Sequence, residues 1–154
     1  MFFNLDVVDS GVWYPFQDSI LQDDGTPVFM DPEENAGKVC VRNADSAFYD
    51  ALYKKTRKKV VEQVLNPTTR IMERQVRHEL IPGKEEEENA ALWDHMIVDW
   101  DERICSAPGK PIPCNKVNKV KMMKVKAFDR FIWKCMRSNS ESQGIVRKAE
   151  TENL

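Results

Sequence analysis

The side chains with the most chemical reach in this chain are four cysteines (Cys40, Cys105, Cys114, Cys135), two histidines (His78, His95) and the carboxylate run Glu85 to Glu88. A structural zinc site needs closely spaced ligand pairs on turns so that four donors converge. None of these cysteines stands at CxxC spacing, so no metal is expected, and scattered cysteines read as small buried hydrophobes of a reducing compartment. General acid–base work needs a carboxylate tuned by an apolar pocket or a neighbouring charge. Glu85 to Glu88 read instead as the solvated first turn of a helix, where the helix dipole favours them. His78 and His95 are expected at surface or boundary positions rather than as general bases. The sequence has no GxSxG, P-loop or GxGxxG pattern, and its six glycines suggest no phosphate-cradling loop. These residues predict neither an enzyme nor a cofactor.

Charge and tryptophan form the other constellations. Lys84 to Glu102 carries eight acidic residues, whereas Lys116 to Arg137 carries eight basic ones against the single acid Asp129. A basic helix interleaved with Phe128, Phe131 and Trp133 could contact nucleic acid or an acidic protein. The plainer expectation is that the two segments pair antiparallel and shield each other, which sets orientation more than stability. The net charge of −2 gives no general preference for nucleic acid. Trp13, Trp93, Trp100 and Trp133 are expected mostly in the core, with a share of anchors at a binding surface.

The elements that must position these groups begin as β structure. Val7-Val8 and Val12-Trp13-Tyr14 are strand formers, Asp23-Asp24-Gly25-Thr26 is a turn, Pro27 to Met30 returns as a strand, and Lys38 to Arg42 alternates as a half-buried one. A helix is then expected from about Asp45 to Leu65 with Asn43 as its cap, ended by Asn66-Pro67. A second runs from Thr68 to Leu80 and is closed by Pro82-Gly83. A third starts at Glu85 and aligns Trp93, Met96, Ile97 and Trp100 in one apolar stripe. Ala107 to Pro113 is a rigid connector, and Asn115 caps a fourth helix with Val125, Phe128, Ile132 and Met136 along one side. From Ser138 onward the chain reads as a polar, flexible tail. The start of the sequence has no basic n-region or sustained apolar stretch, and no window approaches a spanning helix, which predicts a cytoplasmic protein with no membrane contact.

Two segments resemble a known family. Ser10-Gly11-Val12-Trp13-Tyr14-Pro15-Phe16, followed by a turn and Asp45-Ser46-Ala47-Phe48-Tyr49, looks like the opening of small tail assembly chaperones from long-tailed bacteriophages. Those proteins begin with a Gly-x-Trp segment, a short β element and a helix. Ile97-Val98-Asp99-Trp100-Asp101, then Gly109-Lys110-Pro111-Ile112-Pro113-Cys114-Asn115, is similar to their later pattern of a helix ending in tryptophan, a Gly-Lys/Pro turn and a polar start to the last helix. The resemblance implies a non-enzymatic protein of the host cytoplasm that coats the tape measure protein and recruits tail tube subunits during virion morphogenesis. The runs Lys54 to Lys59 and Glu85 to Glu88 depart from that pattern.

The sequence thus predicts an α+β chain: a β ribbon over 1–43, a helical body over 44–137, and the polar tail over 138–154. The candidate contact groups are Trp13, Tyr14 and Phe16 on the ribbon, Trp100 at a helix end, and Lys121, Lys124 and Arg130 on the basic face. A structural component of the virion tail or head–tail region is the alternative function. A nucleic-acid-binding regulator acting through Lys116 to Arg137 is a second, and self-association is left open.

Overall fold

In the computed structural model the backbone is described for residues 10–152 and side chains as far as residue 142, so Val7 and Val8 lie outside the described residues. The fold is α+β, with antiparallel sheets throughout. It divides into two compact units: the described residues up to Ala44 together with those from Leu92 onward, and Asp45–Ala91 between them. The three-part division expected from the sequence follows different boundaries.

The first unit is built on a three-stranded sheet ordered β1 (Val12–Pro15), β4 (Lys38–Val41), β7 (Ile97–Trp100). β4 is the middle strand, so Val39, Cys40 and Val41 are all buried rather than half-buried as their alternation suggested. Gly11 makes the entry to β1 possible. It has φ 89°, and a Cβ there would lie 2.7 Å from Cys40 Sγ, so only glycine fits without strain. A hairpin of β2 (Ser19–Leu21) and β3 (Pro27–Phe29) follows β1. Its turn is the expected one: Asp24 accepts from Thr26 N at 2.9 Å, and Gly25 sits at φ 83°.

β7 replaces part of the expected third helix. That helix, here named by its observed range Glu85–Met96, stops where the next residues pair with β4, and Arg42 N donates to Met96 O at 2.9 Å. The register shifts between Cys40 and Val41, so Ile97 faces Val41 while Asp99 faces Cys40 and Val98 is the extra residue. Such a bulge lets residues three apart turn to the same side. Ile97 and Trp100 therefore both enter the core, from a strand instead of a helical stripe.

The short ribbon β8 (Cys105–Ala107) and β9 (Lys110–Pro111) precedes the last helices. Asn115 caps Lys116–Met123 as expected, accepting from Asn118 N at 2.9 Å. The basic segment then breaks at Lys124–Val125, leaving Val125 exposed, before the long helix Lys126–Glu152. Phe128, Phe131, Ile132, Cys135 and Met136 recur along one face of that helix and pack with Val39, Val41, Met96, Ile97, Trp100 and Met123 as the core. The segment expected as a flexible tail begins inside this helix. Helix continues past Ser138 because Asn139 is buried, donating to Val41 O at 3.0 Å and accepting from the Tyr14 hydroxyl. Asn43 also serves this helix, donating to Met136 O and Ser140 Oγ.

In the second unit Asp45, not Asn43, caps the helix Ser46–Thr56, accepting from Phe48 N at 2.8 Å. This helix is shorter than expected, and the next expected helix is absent. β5 (Arg57–Leu65) and β6 (Met72–Leu80) pair residue for residue in a nine-pair antiparallel hairpin. β-branched Val60, Val61, Val64 and Val76 favour the pleated surface, and Asn66 shapes the turn, accepting from Thr68 N and Thr69 N. Arg57 begins β5 with a bidentate pair to Glu88, at 2.7 and 3.0 Å, and lies 4.1 Å over the Tyr53 ring. The buried Thr56 hydroxyl donates to the same carboxylate at 2.7 Å. Among the described residues no helix is long and apolar enough to cross a membrane.

For reference below, the helices are α1 (Ser46–Thr56), α2 (Glu85–Met96), α3 (Lys116–Met123) and α4 (Lys126–Glu152).

Candidate functional site

The seven contact residues expected from the sequence meet different fates. Trp13 is 48% exposed on β1, opposite Cys40. Tyr14 points the other way, half-buried, with its hydroxyl on Asn139; burial raises its pKa, helped by the neighbouring Cys135. Phe16 packs edge-on to Phe131 at 5.2 Å and stacks with Phe128 at 6.5 Å. Trp100 is a correction: it is 5% exposed, meets Phe128 edge-to-face and donates Nε1–H to Ile112 O at 2.6 Å, so it is a core residue and not a contact group. Lys121 and Lys124 are exposed. Arg130 turns inward to hold the β2–β3 hairpin, donating Nε–H to Ser19 Oγ at 2.7 Å.

The acidic and basic segments do not pair along their lengths. Glu88 is held by Arg57 and Glu87 by Lys84, each within the second unit. Among the described ion pairs one joins the two segments, Lys119 to Asp94 at 3.1 Å, with Lys119 buried.

Two apolar surfaces were not legible in the sequence. On the β2–β3 hairpin, Ile20 and Val28 stand directly opposite each other, hence on one face. Met30 joins them by alternation, and the three are 58, 46 and 43% exposed. The opposite face, Ser19 and Phe29, is turned inward. On the β5–β6 hairpin the cross-strand pairs Val61–Val76 and Leu65–Met72 are also exposed. Arg57–Leu65, with three valines among four charged residues before Asn66-Pro67, fits a strand as well as a helix and so did not signal this second surface.

An open cleft of about 460 Å³ adjoins the first surface. It is lined by the apolar Phe16, Met30, Ile104, Met122 and Phe128 and the acidic Asp18, Asp31 and Glu33. Arg103, also in its wall, is committed to Asp101 at 2.5 Å. Burial opposes the charge on Asp101, but hydrogen bonds from Arg103 and Lys38 outweigh it and lower its pKa.

The thiols differ in reactivity. Desolvation raises Cys40 and Cys114 and pushes Cys135 up to about 12, which keeps these three protonated and weakly nucleophilic. Cys105 is exposed. His78 is exposed on β6, while the His95 carbonyl accepts from Arg42 Nε at 2.7 Å. No group of three or more metal-ligating side chains gathers among the described residues.

No family model, no curated protein and no solved structure matches this chain.

Proposed function

We propose that this chain works by binding other proteins, as a non-enzymatic assembly chaperone of the phage-tail type that holds tape measure and tail tube proteins before they assemble. The observation that carries the binding reading is the outward face of the β2–β3 hairpin. Ile20, Val28 and Met30 place aliphatic side chains in water on a hairpin whose other face turns Ser19 and Phe29 inward. Folding alone does not need them there, and clustered exposed apolar residues mark interaction sites. Trp13, with half its surface open, is a suitable anchor on the same unit. The tail-assembly identity rests on the motif resemblance at Ser10–Phe16 and Ile97–Asn115.

Co-expression with a phage tape measure protein tests the proposal. The expected result is a soluble complex that Ile20→Asp with Val28→Asp weakens at least tenfold. A tape measure protein that stays insoluble and uncomplexed overturns it. A virion component is the second reading, and mass spectrometry of purified particles separates the two, since a chaperone is absent from mature particles. The basic residues Lys121 and Lys124 keep a nucleic-acid reading testable: binding that falls steeply with salt would favour it.

A further inference from the structure

The β5–β6 hairpin sorts its charges by face. Cross-strand partners share a face and successive residues change face. By that register all three carboxylates of the two strands, Glu62, Glu73 and Glu79, lie on one side. That side balances itself, since Arg77 bridges Glu62 and Glu79 at 2.7 Å each. The other side carries Lys59, Arg74 and His78, with Arg57 at its end held by Glu88 of α2, and has no carboxylate at any strand position. Val61–Val76 stands between the Lys59–His78 and Gln63–Arg74 pairs, and Leu65–Met72 lies beyond Arg74 at the turn end, each of these four apolar residues 46–55% exposed. A two-stranded hairpin is marginal on its own, and beyond the Arg57–Glu88 pair a face that mixes exposed apolar residues with basic ones and no strand carboxylate is poorly explained by stability.

We infer that this face docks a segment of a partner protein whose contacting side combines apolar residues with Asp or Glu. Charge complementarity selects that occupant. A second copy on the same face would set Lys59 and Arg74 against identical cations, because a two-fold interface meets itself. Nucleic acid fits less well: the centre of the face is aliphatic, and neither strand supplies a phenylalanine, tyrosine or tryptophan on which a base could stack. The carboxylates on the far side fix which face engages. This inference stands on the hairpin register in the second unit and does not depend on the tail-assembly reading or on the Ile20 surface.

The test is selection of random twelve-residue peptides, displayed on a carrier, against the full chain and against its Lys59→Glu/Arg74→Glu variant. Enrichment of peptides that combine aliphatic residues with Asp or Glu is expected on the unaltered chain. The selected peptides should bind the double variant at least tenfold more weakly, and Glu62→Gln/Glu73→Gln within twofold of the unaltered chain. Amide shifts on adding a selected peptide should concentrate in 57–80. Because all four positions are at the surface, matching circular dichroism spectra establish that the variants remain folded. Enrichment without acidic residues, or equal binding by the Lys59→Glu/Arg74→Glu variant, overturns the inference. So does low-salt binding of a 20-base-pair duplex that this variant abolishes, or a dimer in sedimentation that it disrupts.

Discussion

Asn139 on α4 donates its side-chain amide to the carbonyl of Val41 on the central strand, 3.0 Å away across 98 residues of sequence. Its carbonyl oxygen receives the Tyr14 hydroxyl from β1. One buried amide thus ties helix, central strand and edge strand together, and it lies at the start of the segment whose composition suggested a polar, flexible tail. Asn139→Ala should destabilise the fold by about 1–3 kcal/mol, since it leaves buried polar groups without partners. Urea unfolding followed by fluorescence measures this; an unchanged midpoint would refute the assigned role.

Glu88 gives the second unit a pH dependence with a defined sign. Hydrogen bonds from Arg57 foremost, with Thr56 assisting against the opposing effect of burial, hold its pKa below the ordinary 4.5. A carboxyl whose folded pKa is depressed binds more protons unfolded than folded. Its contribution is therefore complete above its unfolded value and is lost as pH falls through the folded one. Hydrogen exchange at the β5 amides should accelerate as pH falls below about 4.5, after correction for intrinsic rates, and Glu88→Gln should flatten that response.

Trp100 should behave as a core residue in solution. Trp100→Phe keeps a ring against Phe128 but removes the donor to Ile112 O, with a cost on the order of 1–3 kcal/mol. Trp133→Phe, at a position 45% exposed, should shift stability by less than about 0.5 kcal/mol. Thermal melts of the two variants side by side check the contrast; equal shifts would contradict it.

Thiol labelling should separate the cysteines. Cys105 is exposed, whereas Cys135 is 2% exposed with its pKa pushed up to about 12. At pH 8 without denaturant an alkylating reagent should modify Cys105 first and Cys135 only after unfolding. Peptide mass spectrometry over a time course reads the order, and early modification of Cys135 would contradict the packing described.

Much of the local structure could be read from the chain itself. The Asp24-Gly25 turn, the Asn115 cap, and the Phe128, Ile132 and Met136 seam depend on side chains a few residues apart, whose chemistry acts locally. The hairpin at 57–80 stands where the apolar spacing predicts the end of one helix and a second from Thr68 to Leu80. Its valines and charges satisfy a loose helical period as well as a strand, and only pairing along nine positions decides between them. Of the seven candidate contact groups, Trp13, Lys121 and Lys124 stand at the surface. Trp100 does not, because a bulge opposite Cys40 and Val41 turns it inward.

By itself the sequence determined the α+β class, the β-rich beginning, the Asp24-Gly25 turn and the Asn115 cap, because propensity and capping act over one or two turns of chain. Tertiary structure alone decided that Ile97 and Trp100 form a strand and that Asn139 is buried in the fold. It also decided which apolar residues are left in water on the two hairpins. Those outcomes depend on partners tens of residues distant: β4 offers an edge to Ile97, Val41 offers a carbonyl to Asn139, and cross-strand register sorts Lys59 and Arg74 from Glu62 and Glu73.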